Sequence, residues 1–201
     1  MLCIAEKGTR KMRKETCEIH LSEDYAVEIP LLDIGDGFCI YSFDMTGECE
    51  WNRVAAKELL KKLAPYEFDG FVTVQTKSSG LTQAISENFP KYLEIRKSKK
   101  GFMVEPQGVL VKSITTDKIQ ELWIGKEKYE QFVGKKLCFL DDVVSTGGTI
   151  DAMMELAKKI GIEIAVIACV LTEGERRDEY KGIPLVSLDH IPLPGKIRLE
   201  E

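Results

Sequence analysis

The chain has 201 residues, enough for a full hydrophobic core, and its 44% apolar and 30% charged residues are ordinary for a globular protein. A net charge of -5 argues against a nucleic-acid-binding domain, which would usually be basic. The sequence contains neither an apolar run of the roughly 20 residues that a membrane span needs nor the apolar stretch of a secretory signal. We therefore expect a cytoplasmic protein that forms a single domain over residues 1–201, without nucleic-acid or membrane partners.

The first fifty residues or so predict strands. Partial alternation of apolar and polar residues indicates short strands at residues 16–21, 25–31 and 38–43, with polar or glycine-containing turns between them. A helix is predicted over residues 51–64, because apolar side chains recur there at every third or fourth position.

From residue 70 onward, strands and helices alternate. Strands are predicted at residues 71–74, 92–96, 137–140, 162–171 and 185–188, and helices at 81–89 and 149–160. Pro90 is expected to stop the first of these helices, and Gly161 fits the C-terminal cap of the second. This alternation predicts an α/β fold in which a Rossmann-like parallel sheet is flanked by helices on both sides.

Residues 98–136 interrupt that alternation. Two extended segments, 109–114 and 119–124, are joined by the polar residues 115–118 and predict a β-hairpin that projects from the core. Long excursions of this kind are often lids or binding loops, so we expect a flexible lid within residues 98–125.

Residues 137–149 carry the clearest chemistry in the chain. A buried strand leads into Asp141 and Asp142, whose carboxylates can accept hydrogen bonds from vicinal hydroxyls. Gly147 and Gly148 then let the backbone approach a ligand closely, and the helix that follows directs its N–H groups and positive dipole end at an anion. Hydroxyl donors nearby are Ser145, Thr146 and Thr149. A phosphate cradle beside two carboxylates predicts a site for a ribose 5-phosphate.

Residues 139–149 resemble the 5-phosphoribosyl 1-pyrophosphate (PRPP) motif of type I phosphoribosyltransferases, above all adenine phosphoribosyltransferase and its bacterial relatives. The resemblance extends over roughly residues 27–192. Residues 71–77 are similar to the strand and loop that bind pyrophosphate in this family, residues 95–100 to the basic segment after the next strand, and residues 113–116 to the flexible catalytic loop. Segments 171–174 and 183–188 also match in order and spacing.

The resemblance implies transfer of the 5-phosphoribosyl group from PRPP to a purine base, most readily adenine, with release of pyrophosphate. Residues implied to bind the ribose phosphate are Val143, Val144, Ser145, Thr146, Gly147, Gly148 and Thr149. Those implied to bind pyrophosphate are Thr76, Lys77, Ser78, Arg96, Lys97, Lys99 and Lys100. The implied catalytic residues are Asp141, Asp142, Ser113 and Asp117.

The same resemblance implies Mg²⁺ as the cofactor, bound mainly through PRPP without direct protein ligands, and a homodimer as the assembly. The strands of residues 1–50 would form a small hood over the base, beside an α/β core at residues 51–190.

Other functions remain open at this stage. Lys77 stands where adenine-specific enzymes usually carry arginine, and the flexible loop lacks their Tyr-x-x-Glu-Tyr pattern. The acceptor is therefore either a purine or another base, such as xanthine or a pyrimidine. A regulatory protein that binds PRPP without turnover is the third alternative, although such repressors normally add an N-terminal winged helix, and the strand-like N-terminal segment does not predict one.

Overall fold

A computed structural model describes residues 12–35, 38–112 and 119–194 of the chain. Its strands are β1 (Met12–Ser22), β2 (Tyr25–Gly35), β3 (Phe38–Tyr41), β4 (Gly70–Val74), β5 (Leu93–Ile95), β6 (Gln107–Lys112), β7 (Ile119–Ile124), β8 (Lys136–Val144), β9 (Glu163–Glu173), β10 (Glu179–Tyr180) and β11 (Ile183–Ile191). Its helices are α1 (Cys49–Leu63), α2 (Ser79–Ile85), α3 (Lys126–Tyr129) and α4 (Gly148–Ile160), and a 3-10 turn covers Glu130–Phe132. None of the helices within these ranges is long and apolar enough to cross a membrane.

The central sheet has six strands in the order β10–β11–β9–β8–β4–β5. All neighbouring pairs are parallel except β10 with β11, which confirms the predicted Rossmann-like sheet. The strand order reverses between β4 and β8, because the chain first adds β5 on one side of β4 and then crosses to the other side. In open α/β sheets, ligands bind in the crevice at such a reversal, beyond the carboxyl ends of the strands.

Each face of the central sheet is covered by its own hydrophobic core. Alternate residues of β8 point to opposite faces, so Leu137 and Phe139 join the core under α4, while Cys138 and Leu140 join the core under α1 and α2. All four side chains are fully buried. Cys138 and Cys169 are core residues, and burial raises the pKa of both thiols.

The three N-terminal strands form a separate antiparallel sheet in the order β1–β2–β3, which we call the hood. The hood packs against α1 and β11. The backbone N–H of His20 in β1 donates a hydrogen bond of 2.8 Å to Asp189 Oδ2 in β11. This bond and the shared apolar core attach the hood directly to the central sheet.

The predicted hairpin consists of β6 and β7, paired antiparallel. Its base is anchored, because Lys159 Nζ of α4 donates to the Gly108 carbonyl at 2.9 Å, and Arg96 and Trp123 exchange two backbone hydrogen bonds of 3.0 and 2.8 Å. Residues 113–118, which include the predicted catalytic residues Ser113 and Asp117, lie outside the described residues.

Several element boundaries differ from the sequence prediction, and those of α2 and β8 have clear physical reasons. Helix α2 ends at Ile85 instead of residue 89, and the Phe89 N–H closes a turn on the Ser86 carbonyl at 2.8 Å. Serine and asparagine compete with helical backbone bonds, so the Ser86–Glu87–Asn88 stretch ends the helix before Pro90 can. Strand β8 continues to Val144 instead of ending at residue 140, because β9 pairs with it as far as Val144.

Candidate active site

The turn between β8 and α4 forms the phosphate loop of the candidate site. Gly147 has φ +86°, a left-handed conformation that favours glycine, and the backbone then enters α4 at Gly148. The Asp151 N–H bonds to the Gly147 carbonyl at 2.9 Å and closes the first helical turn. The Thr146 side chain is exposed, and Ser145 and Thr149 are half-buried. The loop thus presents hydroxyls and helix N-terminal N–H groups on one side of the carboxyl end of β8, an arrangement that suits an anion.

Tyr180 supports this loop, and sequence reasoning did not identify it. A Cβ atom on Gly147 would overlap the Tyr180 ring. The Tyr180 hydroxyl donates to Asp151 Oδ1 at 3.0 Å, and Lys181 Nζ reaches the same oxygen at 2.5 Å. Burial, followed by the Asp151 carboxylate, raises the pKa of Tyr180. The ring and the ammonium together hold the start of α4 in place.

The two predicted carboxylates lie inside β8, near its carboxyl end. Asp142 is 7% exposed, and its Oδ2 atom has no hydrogen-bond partner in the part of the chain that the structure describes. Lys77 Nζ lies 3.8 Å from that oxygen. Burial, followed by the neighbouring Asp142 charge, raises the pKa of Asp141, and the Lys97 charge opposes this shift. The pair therefore offers carboxylate oxygens to a ligand beside the phosphate loop.

The loop from β4 to α2, residues 75–78, lies across the crevice from the carboxylates. The exposed Lys77 side chain donates from Nζ to the Phe43 carbonyl at 3.1 Å, so it connects this loop with the segment after the hood. The Ser78 side chain is fully buried and bonds to Val74 O at 3.2 Å and Thr73 Oγ1 at 2.7 Å. The Ser78 hydroxyl thus holds the loop from inside, while Thr76 and Lys77 are presented to solvent.

The first part of the predicted basic segment lies near the candidate site. Arg96 Nη1 donates to Gln75 Oε1 at 3.3 Å, which joins it to the loop that precedes α2. The charge of the exposed Lys97 acts to lower the pKa of Asp141, so this lysine lies near the carboxylate pair.

The second part of the segment lies elsewhere. Lys99 Nζ is 5.6 Å from the centre of the Trp123 ring on the hairpin. The Lys100 N–H bonds to Met103 Sδ at 3.5 Å, and the Met103 N–H bonds to the Lys100 carbonyl at 3.2 Å, so Lys100 belongs to a local turn. The structure thus associates Lys99 with the hairpin and Lys100 with the turn before it.

Comparison with known proteins agrees with this geometry. Residues 48–192 match the family model of the phosphoribosyl transferase domain. The chain belongs to the phosphoribosyltransferase family. The resemblance drawn from residues 139–149 is thereby confirmed at the level of the family.

Individual relatives carry two different base names. A hypoxanthine/guanine phosphoribosyltransferase from Methanobacterium lacus is 32% identical over 151 residues, which cover 72% of this chain and 75% of the relative. An adenine phosphoribosyltransferase from Escherichia coli is 39% identical over 66 residues, which cover 31% of this chain and 35% of the relative.

Solved structures share the fold of this phosphoribosyltransferase. Adenine phosphoribosyltransferase from Thermoanaerobacter pseudethanolicus aligns with a TM-score of 0.63 at 19% identity, over 75% of this chain and 88% of that one. The enzyme of the same name from Rhodothermus marinus aligns with a TM-score of 0.60 at 16% identity, over 87% and 93% of the two chains. At these identities the likeness establishes the fold.

Proposed function

We propose that the chain transfers the 5-phosphoribosyl group of PRPP to a ring nitrogen of a purine base and releases pyrophosphate. The observation that carries this proposal is the meeting of three groups at the carboxyl ends of β4 and β8. These are the phosphate loop with its left-handed Gly147, the Asp141–Asp142 pair, and Lys77 at 3.8 Å from Asp142. A ribose 5-phosphate spans such a site from its phosphate to its vicinal hydroxyls.

In this proposal the bond between C1 of PRPP and the pyrophosphate oxygen breaks as the base nitrogen bonds to C1. Positive charge develops on the ribose ring in the transition state. Carboxylates of Asp141 and Asp142 hold the ribose hydroxyls. Lys77, Arg96 and Lys97 stabilise the negative charge that leaves with pyrophosphate. The base loses its ring proton as the nucleotide forms.

Mg²⁺ fits the residues of this site. Carboxylate oxygen is the donor that this ion prefers, and the buried Asp142 Oδ2 lacks a hydrogen-bond partner among the residues described. When bound, the ion would offset the negative charge of the pyrophosphate. Asp141 and Asp142 would orient the ribose and the water molecules around the ion from the β8 side.

The hairpin is proposed to act as the lid. Closure over the site would exclude water and so protect PRPP from hydrolysis. Ser113 and Asp117 would then approach the reacting base, with Asp117 as the carboxylate that accepts its proton. At its base the hairpin is held to the core by Lys159 and by the backbone bonds between Arg96 and Trp123.

Adenine is the proposed base, and hypoxanthine or guanine is the second candidate. The resemblance of residues 139–149 to adenine enzymes supports the first. The relative from Methanobacterium lacus, whose name specifies hypoxanthine/guanine and which aligns over 72% of this chain, supports the second. In either case the base would lie between Val143 and the segment at Phe43, which Lys77 links to the pyrophosphate loop.

Turnover with a panel of bases tests the proposal. The protein is incubated with PRPP and Mg²⁺ and with adenine, hypoxanthine, guanine, xanthine or a pyrimidine, and both pyrophosphate and nucleotide are measured. Adenine should give the highest kcat/KM. Tight PRPP binding without turnover on any base would instead identify a regulatory protein.

The substitution Asp142→Asn tests the placement of the sugar. The amide keeps the shape of the side chain but removes the charge that faces Lys77, so kcat/KM for PRPP should fall more than tenfold, which is about 1.4 kcal/mol. Asp24→Asn in the exposed β1–β2 turn is the matched control and should retain wild-type kinetics. Equal kinetics for the two variants would mean that the ribose does not bind at β8.

The proposed assembly is a homodimer, which the family resemblance implies. Sedimentation equilibrium of the purified chain should return about twice the monomer mass of 22.7 kDa. A monomer mass at the concentrations used for kinetics would contradict this assembly without affecting the proposed reaction.

A further inference from the structure

A cavity of about 490 Å³ lies at the β5 edge of the central sheet. We call it the edge cavity. Its walls come from the end of α2 and the turn after it, β5, residues 102–103 and residues 124–131, and residues 75–78 and 141–149 do not line it. Its volume is within the range of about 300–1,000 Å³ that small-molecule sites occupy. It is therefore separate from the phosphate loop, shares only Arg96 with the proposed pyrophosphate site, and is large enough for a ligand of its own.

The charges around the edge cavity favour an anion. Lys91, Arg96 and Lys128 line it, and none of them forms an ion pair with another described residue. The two carboxylates of the lining are already engaged. Glu94 Oε2 accepts a hydrogen bond from Gln75 Nε2 at 2.8 Å, and Glu127 Oε2 accepts one from the Val104 N–H at 3.2 Å. Three cations against two carboxylates leave the lining with a net positive charge, and the carboxylates are held in bonds to other groups, so the free cations can attract an anion.

The remaining walls favour a flat ring. Phe89, Tyr92 and Phe102 line the cavity, and Phe102 is 66% exposed. The Arg96 guanidinium carbon lies 5.4 Å from the centre of the Phe102 ring, an arrangement that can extend by stacking on a further aromatic group. Exposed aromatic surface beside unpaired cations matches a ligand with a planar ring at one end and an anion at the other.

Ser86 supplies an independent observation. This lining residue is only 4% exposed, and its Oγ atom has no hydrogen-bond partner among the residues that the structure covers. A buried hydroxyl without a partner costs about 1–3 kcal/mol. Because the Oγ atom is itself buried, the cavity wall would have to shift for a polar ligand group to reach it, and that bond would then remove the cost.

We propose that the edge cavity binds a nucleotide, with its base against the aromatic walls and its phosphate at the unpaired cations. The site is connected to the pyrophosphate loop, because Arg96 donates to Gln75 at 3.3 Å and Gln75 precedes Thr76. If the chain is the proposed transferase, which this last step assumes, a nucleotide in the edge cavity changes PRPP binding through Arg96 and Gln75.

Binding stoichiometry tests the second site independently of turnover. The full chain is titrated with AMP and with GMP by equilibrium dialysis, and two molecules should bind per chain, one at the phosphate loop and one in the edge cavity. Lys128→Ala and Ser86→Ala should each weaken one of the two binding events at least about tenfold. Thr149→Ala at the phosphate loop should weaken the other.

Lys135→Ala is the matched control, since this exposed lysine lies on Phe132 outside the edge cavity and should leave both events unchanged. Two unaltered binding events in Lys128→Ala and Ser86→Ala would overturn the proposal, as would a single event in the wild type. An altered oligomeric state in these variants, without altered nucleotide binding, would overturn it in favour of a subunit interface. Suppose that Lys128→Ala and Ser86→Ala each lose one nucleotide-binding event while Thr149→Ala keeps both. That result would support the edge cavity and count against the proposed transferase site.

Discussion

Gly147 links backbone conformation to side-chain packing at the scale of single residues. Its left-handed φ and the adjacent Tyr180 ring exclude any larger residue for two separate reasons. Gly147→Ala should therefore lose about 1–2 kcal/mol of unfolding free energy from backbone conformation and about 1–3 kcal/mol more from overpacking. Urea denaturation measures the sum of the two losses in unfolding free energy.

Gly134→Ala separates these two costs. Gly134 has a similar φ of +79°, and a Cβ there would meet no atom within 4 Å, so this variant should show the backbone cost alone. The double variant Gly147→Ala/Tyr180→Ala should regain part of the stability that Gly147→Ala loses, because the overlap with the Tyr180 ring is removed. Equal losses for the two alanine variants would mean that Tyr180 does not press on the loop.

At the scale of single residues, Asp141 also makes the stability of the protein depend on pH. Burial and the Asp142 charge raise its pKa above the ordinary 3.8, so the folded state binds this proton more tightly than the unfolded state. That contribution to stability is complete below pH 3.8 and is lost as pH rises through the higher folded pKa. Asp141→Asn should therefore gain stability relative to the wild type as pH rises through this window. Thermal unfolding of both proteins between about pH 4 and pH 8 measures the difference, and a constant difference would contradict the raised pKa.

At the scale of elements, α1 fixes the segment that joins the hood to the core. Asn52 is 6% exposed, and its Nδ2 donates to the Met45 carbonyl at 2.9 Å and the Glu48 carbonyl at 2.7 Å. Asn52→Ala should lower the free energy of unfolding by about 1–3 kcal/mol, because two hydrogen bonds of about 0.5–1.5 kcal/mol each are lost, although the Met45 carbonyl keeps the bond from the Glu48 N–H. Exposed Asn88 provides the control, and Asn88→Ala should stay within about 0.5 kcal/mol in the same urea titration. A similar change in both variants would mean that the bond network around Asn52 adds little.

At the scale of the whole molecule, a net charge of -5 coexists with a local basic segment at residues 96–100. Salt screens the attraction of that segment for PRPP, so KM for PRPP should rise about threefold or more between about 0.05 and 0.5 M NaCl. The double variant Lys77→Gln/Lys97→Gln, which removes two lysines placed near the carboxylate pair, should have a higher KM and a weaker salt dependence. Lys57→Gln/Lys158→Gln, which removes two exposed lysines from α1 and α4, should keep the wild-type salt dependence. If both double variants respond alike, net charge and not the lysines near the carboxylate pair governs PRPP attraction.

The sequence by itself determined the phosphate loop and the parallel sheet. Residues 137–149 contain the strand, the carboxylates, the glycines and the helix start without interruption, so neighbouring chemistry is visible in the order of residues. Alternating strands and helices likewise predict a parallel sheet, since a parallel connection needs a crossover. Boundaries such as the end of α2 at Ile85 were less predictable, because local competition at Ser86 outweighed the signal from Pro90.

Only the tertiary structure decided which distant residues complete the site. Lys77 meets Phe43, 34 positions away, and Tyr180 meets Gly147, 33 positions away. Periodicity tells which side of an element is apolar, but it carries no information on which loops meet beyond the ends of neighbouring strands. That meeting depends on the strand order β5–β4–β8–β9. The reversal of this order between β4 and β8 brings the pyrophosphate loop and the phosphate loop to opposite sides of one crevice.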